Sequence, residues 1–429
     1  MAGFLGMRGT GDWATDERPL NWRQGILYLY PNGMAPLTAI LSKMGEEKVD
    51  DPQFHWWTKT LASQGGAVSS IYLEATLTTE YTTALSSGAT VYAKVAEAVA
   101  DEFRVGHQVL LRDASHLDVD VNAKVTAVVK NGASSYISCK LLEDDDNGAS
   151  TDLSECDTIL IVGNINAEGA PIPDSIAYNP TKHYNYTQIF RNPLELTRTA
   201  MRTKLRTADS YKEAKRESLE LHSIEMEKAF LYGIATEGTG SNGKPERTTG
   251  GVVAFIKADA SGNVNDFSLN SSYSGQTWLQ GGEDWLDYYL EVIFRYGAQD
   301  KLAFVGSGAL LGIQKLAKTY GNIQLSPTST DYGIKVVQWI TPFGTINLKT
   351  HPLFSFYATT RNAMLILEPS MLKYRYIDDT MFKKDPAMKE AGFTAYDGTK
   401  EEWLTECGLE LHHAEKFGYL TGFNTDNAV

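Results

Sequence analysis

Between Tyr184 and Ile256 three unlike segments follow one another in a fixed order, and this order constrains the fold more than any other feature of the chain. A Pro-interrupted extended run, YNYTQIFRNPLELTRTA, leads into the charged amphipathic stretch SYKEAKRESLELHSIEMEKAFLYGIAT, which leads into the turn-rich NGKPERTTGGVVAFI. The periodicity of the middle stretch predicts a helix from Ser210 to Ala235, with Asp209 and Ser210 as candidate N-caps. In its first half Tyr211, Ala214, Leu221 and Ile224 share one face, opposite Lys212, Glu213, Arg216 and Glu220. Pairs such as Glu213 with Arg216 and Arg216 with Glu220 add about 0.2–0.5 kcal/mol each. In the second half Met226, Ala229, Phe230, Leu231, Ile234 and Ala235 surround the axis, so that half is expected to be buried on several sides. One long helix between two β segments, with neither a catalytic constellation nor a metal cluster in it, reads as a framework for assembly.

Composition narrows the classes. At 429 residues and 42% hydrophobic content the chain can build two or three cores. A net charge of −14 leaves no global basic footprint, which argues against tight nucleic-acid binding as the main activity. Three cysteines, Cys139, Cys156 and Cys407, are too few and too scattered for a disulfide framework or a Cys-rich zinc site, and suit a reducing cytoplasm. No run of about 18 apolar residues occurs, and MAGFLGMRGTGDW lacks the basic and apolar regions of a signal peptide, so neither secretion by a signal peptide nor a membrane span is expected.

Along the chain, residues 1–66 are broken by Gly and Pro everywhere except a short apolar helix near Pro36 to Met44. Yet they carry Trp13, Trp22, Trp56 and Trp57, and a buried large side chain is worth about 1.5–3 kcal/mol. The segment reads as an arm whose aromatics dock on its own body or on a neighbour. From Val68 to Lys182 the pattern turns to period two: Val91, Ala93, Val95; Val109, Leu111; Val119, Val121; Val125, Ala127, Val129; Ile137, Cys139, Leu141. With Asn131-Gly132 as a hairpin signal, this predicts a small antiparallel β module, dispensable between about Ser87 and Val162. After residue 276 helices at 282–296 and 307–318 alternate with strands at 301–305, 334–340, 345–350 and 363–368, and the tail returns to strand at 373–377 and 403–413.

Four segments mimic chemical motifs. Gly238 to Pro245 nearly spells a phosphate-cradling loop, but a helix precedes it and Pro245 stands where the magnesium-binding hydroxyl belongs, so it reads as a loop. Gly306-Ser307-Gly308 with Gly312 resembles a dinucleotide fingerprint whose third glycine is one residue late, and tight strand-to-helix packing explains it better. Glu143-x-Asp145-x-Asn147-Gly148 starts like a calcium loop but has Ser154 where the bidentate Glu belongs, and reads as a solvated hairpin tip. His412 and His413 fall on opposite faces of a strand and read as structural.

The block NYTQIFRNPLELT from Asn185 to Thr197, with the long helix and then Glu246 to Gly251 (ERTTGG), resembles the major capsid proteins of tailed bacteriophages. It is similar to the group whose central block reads N-Y-T-Q-I-F-R-x-P-x-E-x-T. Asn164 to Ala170 (NINAEGA) is similar to that group's N-x-x-x-E-G element, and Glu402 to Ala414 loosely to its closing strand; the resemblance spans about residues 60–415. It implies an α+β capsid fold of the Hong Kong ninety-seven type. On this chain that means an N-terminal arm (1–66), an extended β loop with the inserted β module (67–182), and a peripheral domain (183–280) whose spine helix is 210–235. An axial domain (281–368) and a C-terminal return to the peripheral and axial sheet (369–429) complete it.

The resemblance further implies a non-enzymatic subunit that assembles as hexamers and pentamers into an icosahedral head around double-stranded DNA, without cofactor, metal or membrane. Expected partners are copies of itself, a separate scaffolding protein with the N-terminus retained, a portal protein, a decoration protein, and packaged DNA through weak contacts. Assembly is expected in the host cytoplasm and residence in the virion. Trp13, Trp22, Trp56 and Trp57 are expected to anchor the arm, with removal of Trp56 and Trp57 leaving the monomer folded. Tyr186, Gln188, Phe190, Arg191, Glu195, Tyr211, Leu221 and Ile224 are expected to form the loop base and spine contacts. The alternatives are a carboxylate-based hydrolase with an accessory β module, and a virion decoration or carbohydrate-binding protein.

Overall fold

The computed structural model describes residues 45–115, 120–145, 153–203, 210–320, 324–331, 334–384 and 398–428. Trp13, Trp22, the helix expected at 36–44, the candidate cap Asp209, Val119 and most of the calcium-like loop lie outside these residues. The chain divides into two compact units, residues 57–181 and the remainder.

Residues 45–58 are strand rather than irregular arm: β1 (Glu46–Lys48) and β2 (Gln53–Thr58). In β2 Phe54, Trp56 and Thr58 are buried in alternation, a period-two signal hidden by four consecutive aromatic residues.

Residues 57–181 contain a closed six-stranded barrel. Its strands are β3 (Gly65–Tyr72), β4 (Thr90–Val95), β5 (His107–Arg112), β6 (Asp120–Val129), β7 (Tyr136–Leu141) and β8 (Thr158–Asn164), in the order β3-β4-β7-β6-β5-β8. One helical turn, α1 (Glu97–Ala100), follows β4. Val91, Ala93, Val95, Val109, Leu111, Ile137, Cys139 and Leu141 all point into a filled core, as their alternation requires. The two runs expected around Val121 and Val125 are one strand. Val121, Ala123 and Val125 are buried, and a register shift between Val125 and Ala127 then moves inward packing to Val128. β3 pairs with both β4 and β8, so a cut at Ser87 would leave one barrel strand behind.

The other unit holds β1, most of β2, β9 (Thr181–Tyr186), which pairs with β2, and β10 (Gln188–Thr197). Then come α2 (Arg198–Arg202), the long helix α3 (Ser210–Tyr232), the hairpin β11 (Thr236–Thr239) and β12 (Pro245–Thr248), α4 (Val252–Asp259) and β13 (Val264–Asp266). The α/β stretch comprises α5 (Trp278–Phe294), β14 (Asp300–Val305), α6 (Ser307–Tyr320), β15 (Gln324–Asp331), β16 (Ile334–Thr341), β17 (Gly344–Thr350), α7 (Pro352–Phe356) and β18 (Met364–Leu367). The tail forms β19 (Leu372–Lys384), β20 (Gly398–Leu411) and β21 (Gly418–Thr421). A four-stranded sheet has the order β1-β19-β20-β10, and a seven-stranded sheet the order β13-β21-β18-β14-β17-β16-β15.

One core joins α3 and α4 to both sheets through Phe190, Phe230, Leu231, Ile256, Phe304, Leu365, Cys407 and Phe417. A second packs α5 and α6 on the seven-stranded sheet through Trp278, Trp285, Leu290, Ile313, Leu348 and Phe423. The helix expected from Gly282 starts four residues earlier, at Trp278, because Thr277 and Gln280 form a capping box. Gly281 and Gly282 lie inside it since a Cβ at Gly282 would sit 2.9 Å from the Trp278 ring. β15 has no period-two signal in the sequence because Pro327 interrupts it, and the register shifts between Ser326 and Ser329 around that proline.

Candidate assembly site

The NYTQIFR block works mostly inward. Asn185 is fully buried between β9 and the turn after β12. Its Nδ2 donates to Leu409 O (2.6 Å), Gly250 O (3.1 Å) and Thr249 Oγ1 (3.2 Å), and its Oδ1 accepts from Gly250 N at 2.7 Å and Tyr186 N at 2.8 Å. Gln188 Oε1 accepts from Thr249 N at 3.1 Å, and Thr187 N donates to Pro52 O at 2.8 Å. These few side chains therefore tie β9 and β10 to the TTGG turn, to β20 and to the segment before β2. Gly408 leaves room for this junction, since a Cβ there would meet Tyr186 O at 2.7 Å.

Further along β10 the residues reach α3. Asn192 Nδ2 donates to Glu225 at 3.0 Å, which leaves its Oδ1 to accept from His222 Nδ1 at 2.7 Å. His222 Nε2 lies 2.7 Å from Thr405 Oγ1 on β20, and Ser218 Oγ donates to Asn192 O at 3.3 Å. Burial holds the His222 imidazole below its ordinary value, against an upward pull from Glu225. The face of α3 that packs on the sheet is thus centred on Ser218, His222 and Met226. Leu221, expected on that face, is 56% exposed, and Ile234 is 66% exposed. The apolar pattern misplaces the face because its middle is polar and hydrogen-bonded.

The other expected site residues fall as follows. Phe190 is buried in the shared core, and Ile224 is half-buried. Arg191 forms two 2.7 Å bonds to Glu402 on β20, and Glu195 pairs with Lys400. Tyr211 donates to Glu401 at 2.6 Å, which with burial pushes its phenol up to about 12. Trp56 is 4% exposed, stacked on His183 at 5.9 Å and edge-on to Phe255 at 5.8 Å. It docks on its own body, and truncating such a side chain costs about 3–5 kcal/mol, so replacing Trp56 and Trp57 is expected to weaken the subunit itself. Trp57 is 58% exposed.

The mimics resolve in structural terms. Gly238 to Pro245 forms the tip of the β11–β12 hairpin, with Gly240 N bonded to Lys244 O at 2.8 Å. At Gly306-Ser307-Gly308 the helix-start amides are spent on the chain itself. Gly306 N donates to Ala363 O, Gly308 N and Ala309 N to Arg361 O, and a Cβ at Gly306 would sit 2.2 Å from Arg361 O. His412 bonds to Glu410, whose carboxyl burial would raise but its bonds to His412 and Arg375 hold low. Between α5 and β16 a cavity of about 180 Å³ is lined by Glu283, Asp287, Leu286, Leu316 and Trp339. Burial first, then repulsion from Asp287 and Asp284 at Glu283 and from Asp284 at Asp287, raises both carboxyls. Its volume is below the roughly 300–1,000 Å³ of ligand pockets. Among the described residues no group of three His, Cys, Asp or Glu could hold a metal, and no helix is long and apolar enough to cross a membrane.

Comparison with known proteins adds identity to this geometry. The family model described as "SU10 major capsid protein" matches residues 13–424. The major capsid protein of Pseudomonas phage PaMx41 is 25% identical over 411 residues, covering 92% of this chain and 90% of that protein. A solved chain from Microbacterium phage Oxtober96 covers 96% of this chain and 98% of its own length, at 10% identity and a TM-score of 0.45. The capsid of Myoviridae phage XM1 covers 60% and 81%, at 10% identity and a TM-score of 0.35. These structural likenesses are coarse, and the family assignment rests on the sequence match.

Proposed function

Since the chain belongs to the SU10 major capsid protein family, we propose that it assembles through hexamers and pentamers into an icosahedral head around double-stranded DNA. The observation that carries this is the family match over residues 13–424, with the NYTQIFR block inside it. The family and its PaMx41 relative are structural capsid proteins, and capsid proteins are virion components.

In this reading residues 1–66 contribute the arm, 67–182 the extended loop with its barrel, 183–280 the peripheral domain, 281–368 the axial domain, and 369–429 the return strands. Strands β1 and β2 are the part of the arm already laid on the body. Trp13, Trp22 and Trp57, with the exposed Leu221 and Ile234, serve contacts between copies. Heterologous contacts that close on themselves need a rigid body with adaptable extensions, and the locked junction around Asn185 supplies the rigidity. A scaffolding protein, a portal protein and a decoration protein complete the set of partners, with assembly in the host cytoplasm. Sedimentation of the purified chain with and without the other head proteins tests the reading. Capsomer-sized or larger species are expected, and a strict monomer under every condition contradicts it.

A further inference from the structure

Between Arg198 and Arg216 the sequence carries seven Lys or Arg against two Asp or Glu, in a chain of net charge −14. The fold adds to this local excess. β10 runs directly into α2, and Met201 on α2 meets Thr399 on β20 at 3.6 Å. Tyr211 at the start of α3 bonds to Glu401, and the register places Lys383 opposite Glu402 and Lys384 opposite Glu401. One corner of the four-stranded sheet therefore collects exposed cations from α2, α3, β19 and β20.

Among the described residues the acids in the corner are already engaged. Glu195 pairs with Lys400, Glu402 with Arg191, and Glu401 with Tyr211 and, at 3.7 Å, with Lys384. Arg202, Lys212 and Lys383 are exposed and have no ion-pair partner among the described residues. Glu217, a turn further along α3, is the nearest exposed acid on that helix beyond Glu213. The core of an interface between proteins is apolar and aromatic and depleted in Lys, whereas phosphates are held largely by Arg and Lys together with neutral hydrogen-bond donors. Among the described residues Met381 is the one large exposed apolar side chain on these elements near the corner, and the half-buried rings of Phe382 and Trp403 lie under Lys215 Nζ at 3.5 Å and 5.4 Å.

We propose that this corner, through Arg202, Lys212 and Lys383, binds the phosphate backbone of duplex DNA without reading its sequence. The proposal rests on the capsid reading for its setting, with the packaged genome as the source of phosphate, but the binding itself is a property of the subunit. Charge complementarity favours DNA over an acidic face of a second copy, because among the described residues the corner exposes a single large apolar side chain where a copy would need a set of anchors.

The test is the salt dependence of binding by the full-length chain to a fluorescent duplex of about 30 base pairs, with assembly followed by electron microscopy. For the Arg202→Ser/Lys212→Ser/Lys383→Ser variant, the slope of log affinity against log salt is expected to fall by roughly two to three, at about 0.9 per phosphate contact. Duplexes of different sequence should weaken alike, while rings or shells still form. Arg202→Lys/Lys212→Arg/Lys383→Arg should keep the parental slope. If the triple serine variant does not fold, Lys212→Ser alone should lower the slope by about one. An unchanged slope, an absence of parental binding at low salt, or unchanged DNA binding with lost assembly each overturns the proposal, the last by marking the corner as a contact between copies. Failure of the capsid reading is separately visible as an absence of rings and shells in the parent.

Discussion

At the residue scale, the junction depends on polar side chains that have no freedom to be anything else. Replacing Asn185 by Ala leaves Gly250 N–H and Leu409 C=O without their buried partner, at about 1–3 kcal/mol for each. The expected loss is about 3 kcal/mol, read as a lower urea midpoint with an unchanged slope, and a loss under about 1 kcal/mol contradicts the clamp. His222 makes a pH-dependent contribution. Its folded value lies below 6.5, so the unfolded chain binds the proton more readily. That contribution is complete above about pH 6.5 and is lost as pH falls through the lowered folded value. Chemical unfolding of the parent and of His222→Gln from pH 7.5 to 5 should show the steeper decline in the parent. Parallel declines would assign the sensitivity elsewhere.

Elements were legible where one period ran without interruption. The alternation of Val91, Ala93 and Val95 or of Ile137, Cys139 and Leu141 identifies barrel strands because each inward residue is apolar. The long helix was equally plain, and its end at Tyr232 rather than Ala235 follows from the hairpin taking over at Thr236. What failed was the orientation of that helix. Ser218 and His222 pack inward through hydrogen bonds, and a hydropathy pattern cannot see satisfied polar groups. Likewise β2 was hidden by aromatic residues on both faces, and the start of α5 by Gly281-Gly282. The motif Asn185 to Arg191 is plain in the sequence, but the partners of its inward hydrogen bonds lie 61 to 224 residues away.

For the whole molecule, β2 and β9, which flank the barrel in sequence, pair with each other. The barrel has its own filled core and shares no strand with the two larger sheets. Replacing residues 63–166 by a short linker should therefore leave a soluble remainder that unfolds cooperatively, with the near-ultraviolet signal of Trp278 and Trp285 retained. An insoluble remainder, or one without that signal, would show that the barrel is needed for the other unit to fold. The cut must take all of β3 to β8, because an excision starting at Ser87 leaves β3 without β4 and β8.

The Tyr184 to Ile256 block is expected to hold each subunit as one rigid unit of a closed shell. Cryo-electron microscopy of particles formed by the full-length chain with the other head proteins measures this most directly. An icosahedral shell is expected in which Asn185 bridges Gly250 and Leu409, and His222 bridges Asn192 and Thr405, in every subunit environment. Discrete soluble particles without a shell, or a shell in which that junction differs between subunits, would contradict it.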